Sequence, residues 1–248
     1  MFFKIKKALK SAGVGSIVGE TKKFLWQTKY LARRKFLAID QSLVAAYGGT
    51  GGFKKLHIGC GENRLDDWLN SDFYPTATGV LHFDATQAFP LGSDTFDYVF
   101  SEHMIEHISH SDGLAMLTEC FRVLKENGKV RISTPDLAFL LDLYAEKKSD
   151  LQQKYIDWAT ERFIPDAPYK SSVFVMNNFV RDWGHVFIYD EDVLRASMQA
   201  AGFVGVTRCE LNKSDEEQLR DLENEARMPD GFLRLETVTL EGTKPSAV

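Results

Sequence analysis

Three cysteines in 248 residues, Cys60, Cys120 and Cys209, are too few and too far apart for a disulfide framework or a paired zinc-ligand spacing. They suit a reducing compartment. No uninterrupted apolar run approaches the length needed to span a bilayer. At the start, "MFFKIKKALK" interrupts its apolar residues with lysines and offers no small-residue cleavage site, which argues against a signal peptide. A cytoplasmic protein is expected. A phosphate loop of the Walker type is missing too. "YGGTGGFKK" carries four glycines in five residues, but the spacing and the Lys-Ser/Thr ending are absent, so it reads as a flexible hinge.

What is present is an uneven charge. The net charge is −5. The first 50 residues hold ten lysines and arginines against Glu20 and Asp40, a balance of +8, which leaves −13 for the rest. Phe2, Phe3, Ile5 and Leu9 alternate with lysines, and "KKFLWQTKYLARRKF" does the same with Trp26 and Tyr30. Aromatic anchors beside lysines suit a helix lying at an anionic membrane surface. The competing expectation is that Phe24, Trp26, Leu31 and Phe36 pack on the body. The expected division is a basic helical arm and hinge at 1–52 and a body at 53–248.

In the body, strand and helix signals alternate. "KKLHIG", a short run ending at Asp72, "GVLHFDA" and "TFDYVFS" read as strands. A helix begins near Ser111, its stripe Leu114, Leu117, Phe121 and Leu124, and "KENG" closes it with Gly128. "KVRISTPD" is a buried strand stopped by Pro135. Residues 137–163 are helical, "SSVFVMNNFVRDWGH" reads as a loop over the sheet edge, and "YDEDVLRASMQAAGF" is a helix capped by Asp190 and ended by Gly202. "FVGVTRCEL" and "LRLETVTLEG" are two further strands. Between them "SDEEQLRDLENEAR" opens with a capping-box pair, Ser214 and Glu217, and only Leu219 and Leu222 can dock. Strands alternating with helices predict an α/β, Rossmann-like, mostly parallel sheet covered by helices on both faces.

Ligands of such sheets sit beyond the carboxyl ends of the strands. Gly59 and Gly61 lie in the first turn there, where glycine admits positive φ and a close ligand. Asp72, at the next strand tip, can accept hydrogen bonds from two ribose hydroxyls, and Asp84, at the third, can meet an adenine amino group. Together these describe a nucleoside site. Asn63 stands near where a third glycine of a dinucleotide fingerprint would be. No helix between Gly61 and Trp68 can offer its N-terminus to a pyrophosphate. Both features disfavour NAD and favour S-adenosylmethionine.

The segments "LHIGCGENRLDDWLNSD", "FDYVFSEHMIEH", "RVLKENGKVRISTPD" and "WGHVFIYDEDVLRASMQAAGF" resemble class I S-adenosylmethionine-dependent methyltransferases. More narrowly they resemble the predicted ones associated with bacterial surface-polysaccharide synthesis. The resemblance runs from Lys55 to about Lys244. It implies a seven-stranded sheet with the last strand antiparallel. It also implies that Gly59, Cys60 and Gly61 pass beside the methionine portion, and that Asp72 takes the ribose and Asp84 with Ala85 the adenine. Ser101 and Glu102 would line the pocket near the sulfonium; the alternative for that pair is a strand-to-helix cap. His57 departs from the acid many members carry there.

"SEHMIEHISH" places His103 and His107 at i, i+4, a possible metal pair, but no third ligand stands nearby in sequence and no metal is expected. In "NNFVRDWGHVFIYD", Asn178, Arg181, Asp182, Trp183 and Tyr189 form a candidate acceptor wall of planar and fork-like side chains, within an acceptor-binding insertion around 137–189. The alternative is that Trp183 and Tyr189 plug the core. A hydroxyl acceptor must lose its proton, and His185, then His107, are the candidate bases. The expected activity is O-methylation of a sugar in a glycan or lipid-linked saccharide. The alternatives are a small-metabolite or natural-product acceptor, or a non-catalytic cofactor-binding regulator of a biosynthetic complex. The acidic body argues against nucleic acid.

Overall fold

The structure, a computed structural model, describes residues 28–246, which fall into two units, Met1–Gly49 and Thr50–Val248. The lysine-rich residues 1–27, with Phe24 and Trp26, lie outside the described residues. In the first unit, residues 28–36 are helical, and α1 (Ile39–Gly48) follows a left-handed Ala38. Arg34 is buried there: it donates to both carboxylate oxygens of Asp40 and to the Tyr30 hydroxyl. Phe36 and Leu37 are exposed, and α1 buries no residue.

The second unit is built on seven strands: β1 (Lys55–Ile58), β2 (Leu69–Asp72), β3 (Leu81–His82), β4 (Phe96–Glu102), β5 (Leu124–Pro135), β6 (Val204–Cys209) and β7 (Thr237–Thr243). Their order is β3-β2-β1-β4-β5-β7-β6. All neighbours are parallel except that β7 runs against β5 and β6. The order reverses between β1 and β4, the switch point beside which ligands bind. Residues 61–68, between β1 and β2, are turns without a helix.

Register divides the sheet into two unlike faces, because residues paired across strands point the same way. Leu56, Leu69, Val99 and Val130 share one face, all buried and apolar, with Gly242 in line. Here α6 (Glu191–Ala200) covers the sheet: a Cβ on Gly242 would sit 3.1 Å from Met198 Cε. The helix α2 (His110–Val123) packs beside α6 and buries Met116, Leu117, Cys120 and Val123. Ser109 caps α2, and Asp190 caps α6 by accepting from the Val193 amide at 2.8 Å.

The opposite face carries His57, Asn70, Phe100, Arg131 and Glu241. Leu219 and Leu222 dock there with Trp68 and Phe100. Arg131 is fully buried and donates to Glu223 (2.6 and 3.1 Å), to Glu241 (2.5 Å) and to the carbonyls of Lys213 and Glu210. This anchoring overrides the capping-box signal. Residues 217–219 and 225–227 form only short 3-10 turns, and Ser214 spends its hydroxyl on Glu241 and the Glu216 amide.

Three other expectations are corrected. The helix before β5 ends at Val123, and Gly128 lies within β5, where a Cβ would meet the Lys125 carbonyl at 2.8 Å. Close backbone approach, not a helix cap, demands that glycine. Residues 172–181 form α5 (Ser172–Arg181), not a loop, because Val175 and Phe179 fall at i, i+4 on a buried face. "FLRLE" is α7 (Phe232–Glu236), and β7 starts only at Thr237. With α3 (Leu137–Tyr144) and α4 (Asp150–Phe163), α5 and α7 build a second apolar core around Phe139, Tyr155, Phe179 and Phe232.

His57 sits between Trp68 and Phe100, and its Nδ1 lies 3.2 Å from Asn70 Oδ1. Burial lowers its pKa from 6.5 to about 4, against a smaller raising effect of the Asn70 hydrogen bond. Unfolding restores the ordinary value. The stability this group contributes is therefore present above pH 6.5 and lost as pH falls toward 4, up to about 3 kcal/mol. In urea titrations the wild type should lose roughly that much more stability than His57→Gln between pH 7 and 4. Equal losses would show that His57 does not stay neutral inside.

Candidate functional site

Two cavities open at the carboxyl ends of the strands. The first, about 500 Å³, is lined by the tips of β1, β2 and β3, among them Gly59, Asp72, Asp84 and Ala85, and by Met104 and His107. Gly59 has φ +70°, and a Cβ there would sit 2.4 Å from Met104 Cγ, so only glycine lets the turn pass under Met104. Gly61 is left-handed as well, at φ +50°. Its amide donates to Asp72 Oδ2 at 2.9 Å, while Asp72 Oδ1 accepts from the Tyr74 amide at 2.7 Å. A carboxylate accepts roughly four hydrogen bonds. Two latch the glycine turn to β2, and the remaining lone pairs can meet a ligand's hydroxyls. Asp84 Oδ1 accepts from the amide and hydroxyl of Thr86, fixing the third strand tip.

Cys60 and Gly61 are not among the lining residues. Cys60 is buried, and its thiol is pushed up to about 11 by burial and then by the charge of Asp72, so it is no nucleophile at neutral pH. Ser101 and Glu102 also lie off the cleft. Ser101 is buried on the apolar face, its hydroxyl without a hydrogen-bond partner. Glu102 points to the other face, where it accepts from Asn63 Nδ2 (3.1 Å) and the Asn224 amide (3.2 Å). The alternation of side chains along β4 separates two neighbours that the sequence placed together.

The second cavity, about 410 Å³, is lined by aromatic residues of α4 and α5, by Trp183 and by His103, Glu106, His107, His185, Arg162, Arg227 and Glu236. His107 lines both cavities. Its ring lies 5.1 Å from that of His185, so the two candidate bases meet at the junction. The Glu106 carbonyl accepts the amides of Val186 (2.7 Å) and Phe187 (3.1 Å), which pins the segment carrying His185 against the end of β4. His185 Nδ1 lies 2.6 Å from the Phe179 carbonyl. A carbonyl only accepts, so Nδ1 carries the proton and Nε2 the lone pair. Burial lowers the His185 pKa and keeps the ring neutral.

Burial also pushes the Glu106 carboxyl up to about 8 and that of Glu236 to about 7, the latter accepting a hydrogen bond from Tyr155. Of the other expected wall residues, only Trp183 lines the chamber. Asn178 donates to Asp182 at 2.6 Å. Tyr189 is buried beside Gly113, whose Cβ would meet its hydroxyl at 2.4 Å, so it plugs the core. Arg181 is exposed and lies outside the chamber lining. Sequence reasoning missed Trp158, Phe163, Arg162, Arg227 and Glu236. The only signal for them was an excess of aromatics in α4, which a core stripe explains equally well.

Residues 56–132 match the family model described as "Methyltransferase domain". No curated protein matches the chain. Among solved structures the chain is similar to a SAM-dependent methyltransferase from Archaeoglobus fulgidus (15% identity, 90% of this chain and 99% of that chain, TM-score 0.46). It is also similar to phosphoethanolamine N-methyltransferase 2 from Haemonchus contortus in complex with S-adenosyl-L-methionine (14% identity, 84% of this chain and 52% of that chain, TM-score 0.42). Both scores lie below 0.5, and the fold rests instead on the strand order itself. The matched residues are a methyltransferase domain, and they span the glycine turn and the acidic strand tips. The S-adenosylmethionine site expected at the glycine turn and the acidic strand tips therefore falls inside the matched domain.

If Asp72 latches the turn and holds ribose hydroxyls, Asp72→Ala should weaken binding of the cofactor and its demethylated product about tenfold or more, from charge-assisted hydrogen bonds of roughly 1.5–3 kcal/mol. Calorimetric titration reads this directly; unchanged affinity would remove Asp72 from the site.

Proposed function

We propose that the enzyme methylates a hydroxyl of a sugar in a glycan or lipid-linked saccharide. The observation that carries this reading is the junction. A base with its lone pair on Nε2 stands where the cleft meets a chamber of planar walls, Trp158, Phe163 and Trp183, and polar groups, Arg162, Arg227 and Glu236. Flat aromatic faces and charged forks are what a sugar ring with several hydroxyls requires. The chamber volume lies within the range that encloses a small ligand.

S-adenosylmethionine supplies the methyl group on a cationic sulfur. The chain's own task is to align the acceptor oxygen with that group, exclude water and take the hydroxyl proton. Alignment is worth roughly 7 kcal/mol or more in well-ordered cases. His185 Nε2 takes the proton, and His107, on the wall common to both cavities, positions the oxygen.

Labelled-cofactor transfer onto fractionated glycans and lipids of the source cell tests the acceptor. Label in small metabolites alone would favour the metabolite reading, and transfer to no acceptor the regulatory one. With an acceptor in hand, His185→Ala should lower turnover about 10²–10⁴-fold while cofactor affinity stays unchanged. A loss below about threefold would take His185 off the catalytic list.

The basic arm gives the proposal its setting. No described helix is long and apolar enough to cross a membrane. Exposed Phe36 and Leu37 beside Arg33 and Lys35 support peripheral contact of the 1–52 arm with an anionic membrane, near a lipid-linked acceptor at the inner face. In flotation with anionic vesicles, the full chain should bind in a salt-sensitive way, and a chain lacking residues 1–50 should not. A full-length protein that ignores the vesicles would end this idea.

A further inference from the structure

The chamber holds a feature that the base reading leaves unexplained. One donor atom each from Glu106, His107 and His185 lies within 4.8 Å of the others. Glu106 is fully buried, yet only one of its oxygens is satisfied: Oε2 accepts from Thr134 Oγ1 at 3.0 Å, and Oε1 has no hydrogen-bond partner. The nearest cationic candidates to Oε1 are His103 Nδ1 at 3.5 Å and His107 Nε2 at 3.8 Å, both beyond good hydrogen-bond geometry. A buried carboxyl oxygen left without a partner is costly.

His185 is also held as a ligating imidazole is held. Its Nδ1–H is tied to a backbone carbonyl, which orients the ring and leaves Nε2 as the donor. Gly184, left-handed at φ +81°, carries the chain over His107, where a Cβ would lie 3.7 Å from Nδ1. Two imidazoles and one carboxylate with open positions form a recognised donor set for first-row divalent cations.

We propose that Glu106, His107 and His185 bind a divalent first-row cation such as Zn²⁺ or Mn²⁺, and that an open coordination position takes the acceptor's hydroxyl oxygen. This rests on the reading of the chamber as the acceptor site, and it replaces one role given there: with the cation bound, His185 Nε2 is a ligand and no longer the proton acceptor. Donors at about 2.0–2.2 Å from a cation stand roughly 3–3.6 Å apart in a tetrahedral or facial arrangement, so the widest pair here must close by about 1–2 Å, within the reach of side-chain rotation. The cation takes the lone pairs of both imidazoles and acidifies the bound hydroxyl. The O–H bond then breaks and its proton leaves the chamber for bulk solvent. The oxygen keeps the electron pair and forms the new O–C bond, while the C–S pair stays on sulfur. The sequence offered only His103 and His107 as a pair. The fold instead brings in His185 from the far side of the insertion and turns His103 Nε2 to Thr237 Oγ1 at 2.9 Å.

The test is titration of the chelator-stripped full-length protein with Co²⁺, read by visible absorption and calorimetry. One equivalent should bind with nitrogen-and-oxygen ligation bands. His107→Ala and His185→Ala should each weaken it at least tenfold, with the circular dichroism spectrum and urea midpoint of each variant as the check on folding; Glu106→Gln should do the same. No stoichiometric binding, or binding undiminished in both histidine variants, overturns the site. Hydroxyl methylation at an undiminished rate after chelation overturns its role and leaves the hydroxyl reading standing. One equivalent bound, with methyl transferred only to nitrogen or sulfur acceptors, upholds the site and overturns the hydroxyl reading.

Discussion

Two hydrogen bonds to one backbone carbonyl organise the catalytic end of this molecule. The Glu106 carbonyl lies just past β4 and receives the amides of Val186 and Phe187. With both lone pairs used, it cannot continue a helix, so residues 105–107 remain a single 3-10 turn and α2 starts afresh at His110 under the Ser109 cap. The same bonds bring the segment after α5 onto the switch point. Everything at the junction follows: His107 meets His185, and one wall serves both cavities.

The unlike faces of the sheet show what positions the rest of the chamber. One face is apolar and covered by α2 and α6, held by ordinary burial. The other holds Arg131 at zero exposure among Glu223, Glu241 and two carbonyls. A buried ion network of this kind is a weak source of net stability, because desolvation consumes much of the attraction, but removing one member strands the others. Its effect here is registry. Fixing residues 210–223 over the sheet carries the chain on to Arg227, which lies 3.8 Å from Glu102 and lines the second cavity.

Much of the cofactor side was legible because its signals are local. The strand ending at Asp72, the glycines before it and Asp84 at the next strand tip are each read within a few residues, and the parallel order follows from the alternation of strands and helices. The chamber was harder. His107 and His185 were each suspect, but nothing in a linear sequence says that two imidazoles so far apart touch. Arg131 lay in a strand expected to be buried and Glu223 in a segment where only Leu219 and Leu222 were expected to dock, and nothing paired the two, since a buried ion pair leaves no periodic trace. Ser101 and Glu102 were expected side by side, and the strand's two-residue period turned them to opposite faces. Residues 172–181 looked irregular because Ser, Asn and Arg dilute a stripe of only two buried residues, Val175 and Phe179.

The turn after β4 also ties the two cavities mechanically. Met104 rests against Gly59, so the first glycine turn and the 103–107 turn cannot shift independently: a side chain at position 59 would drive into Met104, and a displaced Met104 would drag Glu106 and His107. Displacement chemistry needs acceptor, methyl and sulfur in line, and a misplacement of about 1 Å can cost on the order of 10²-fold. On the proposed reading, a nucleoside at the glycine turn and an acceptor near His107 are both placed relative to one short, buried segment rather than to two separate loops. Its rigidity comes from satisfied backbone at one end, where β4 hydrogen-bonds on both sides, and from the Glu106 carbonyl at the other. The sequence "SEHMIEH" is therefore a spacer as well as a source of donors: Met104 lines the first cavity, His103 and Glu106 the second, and His107 both.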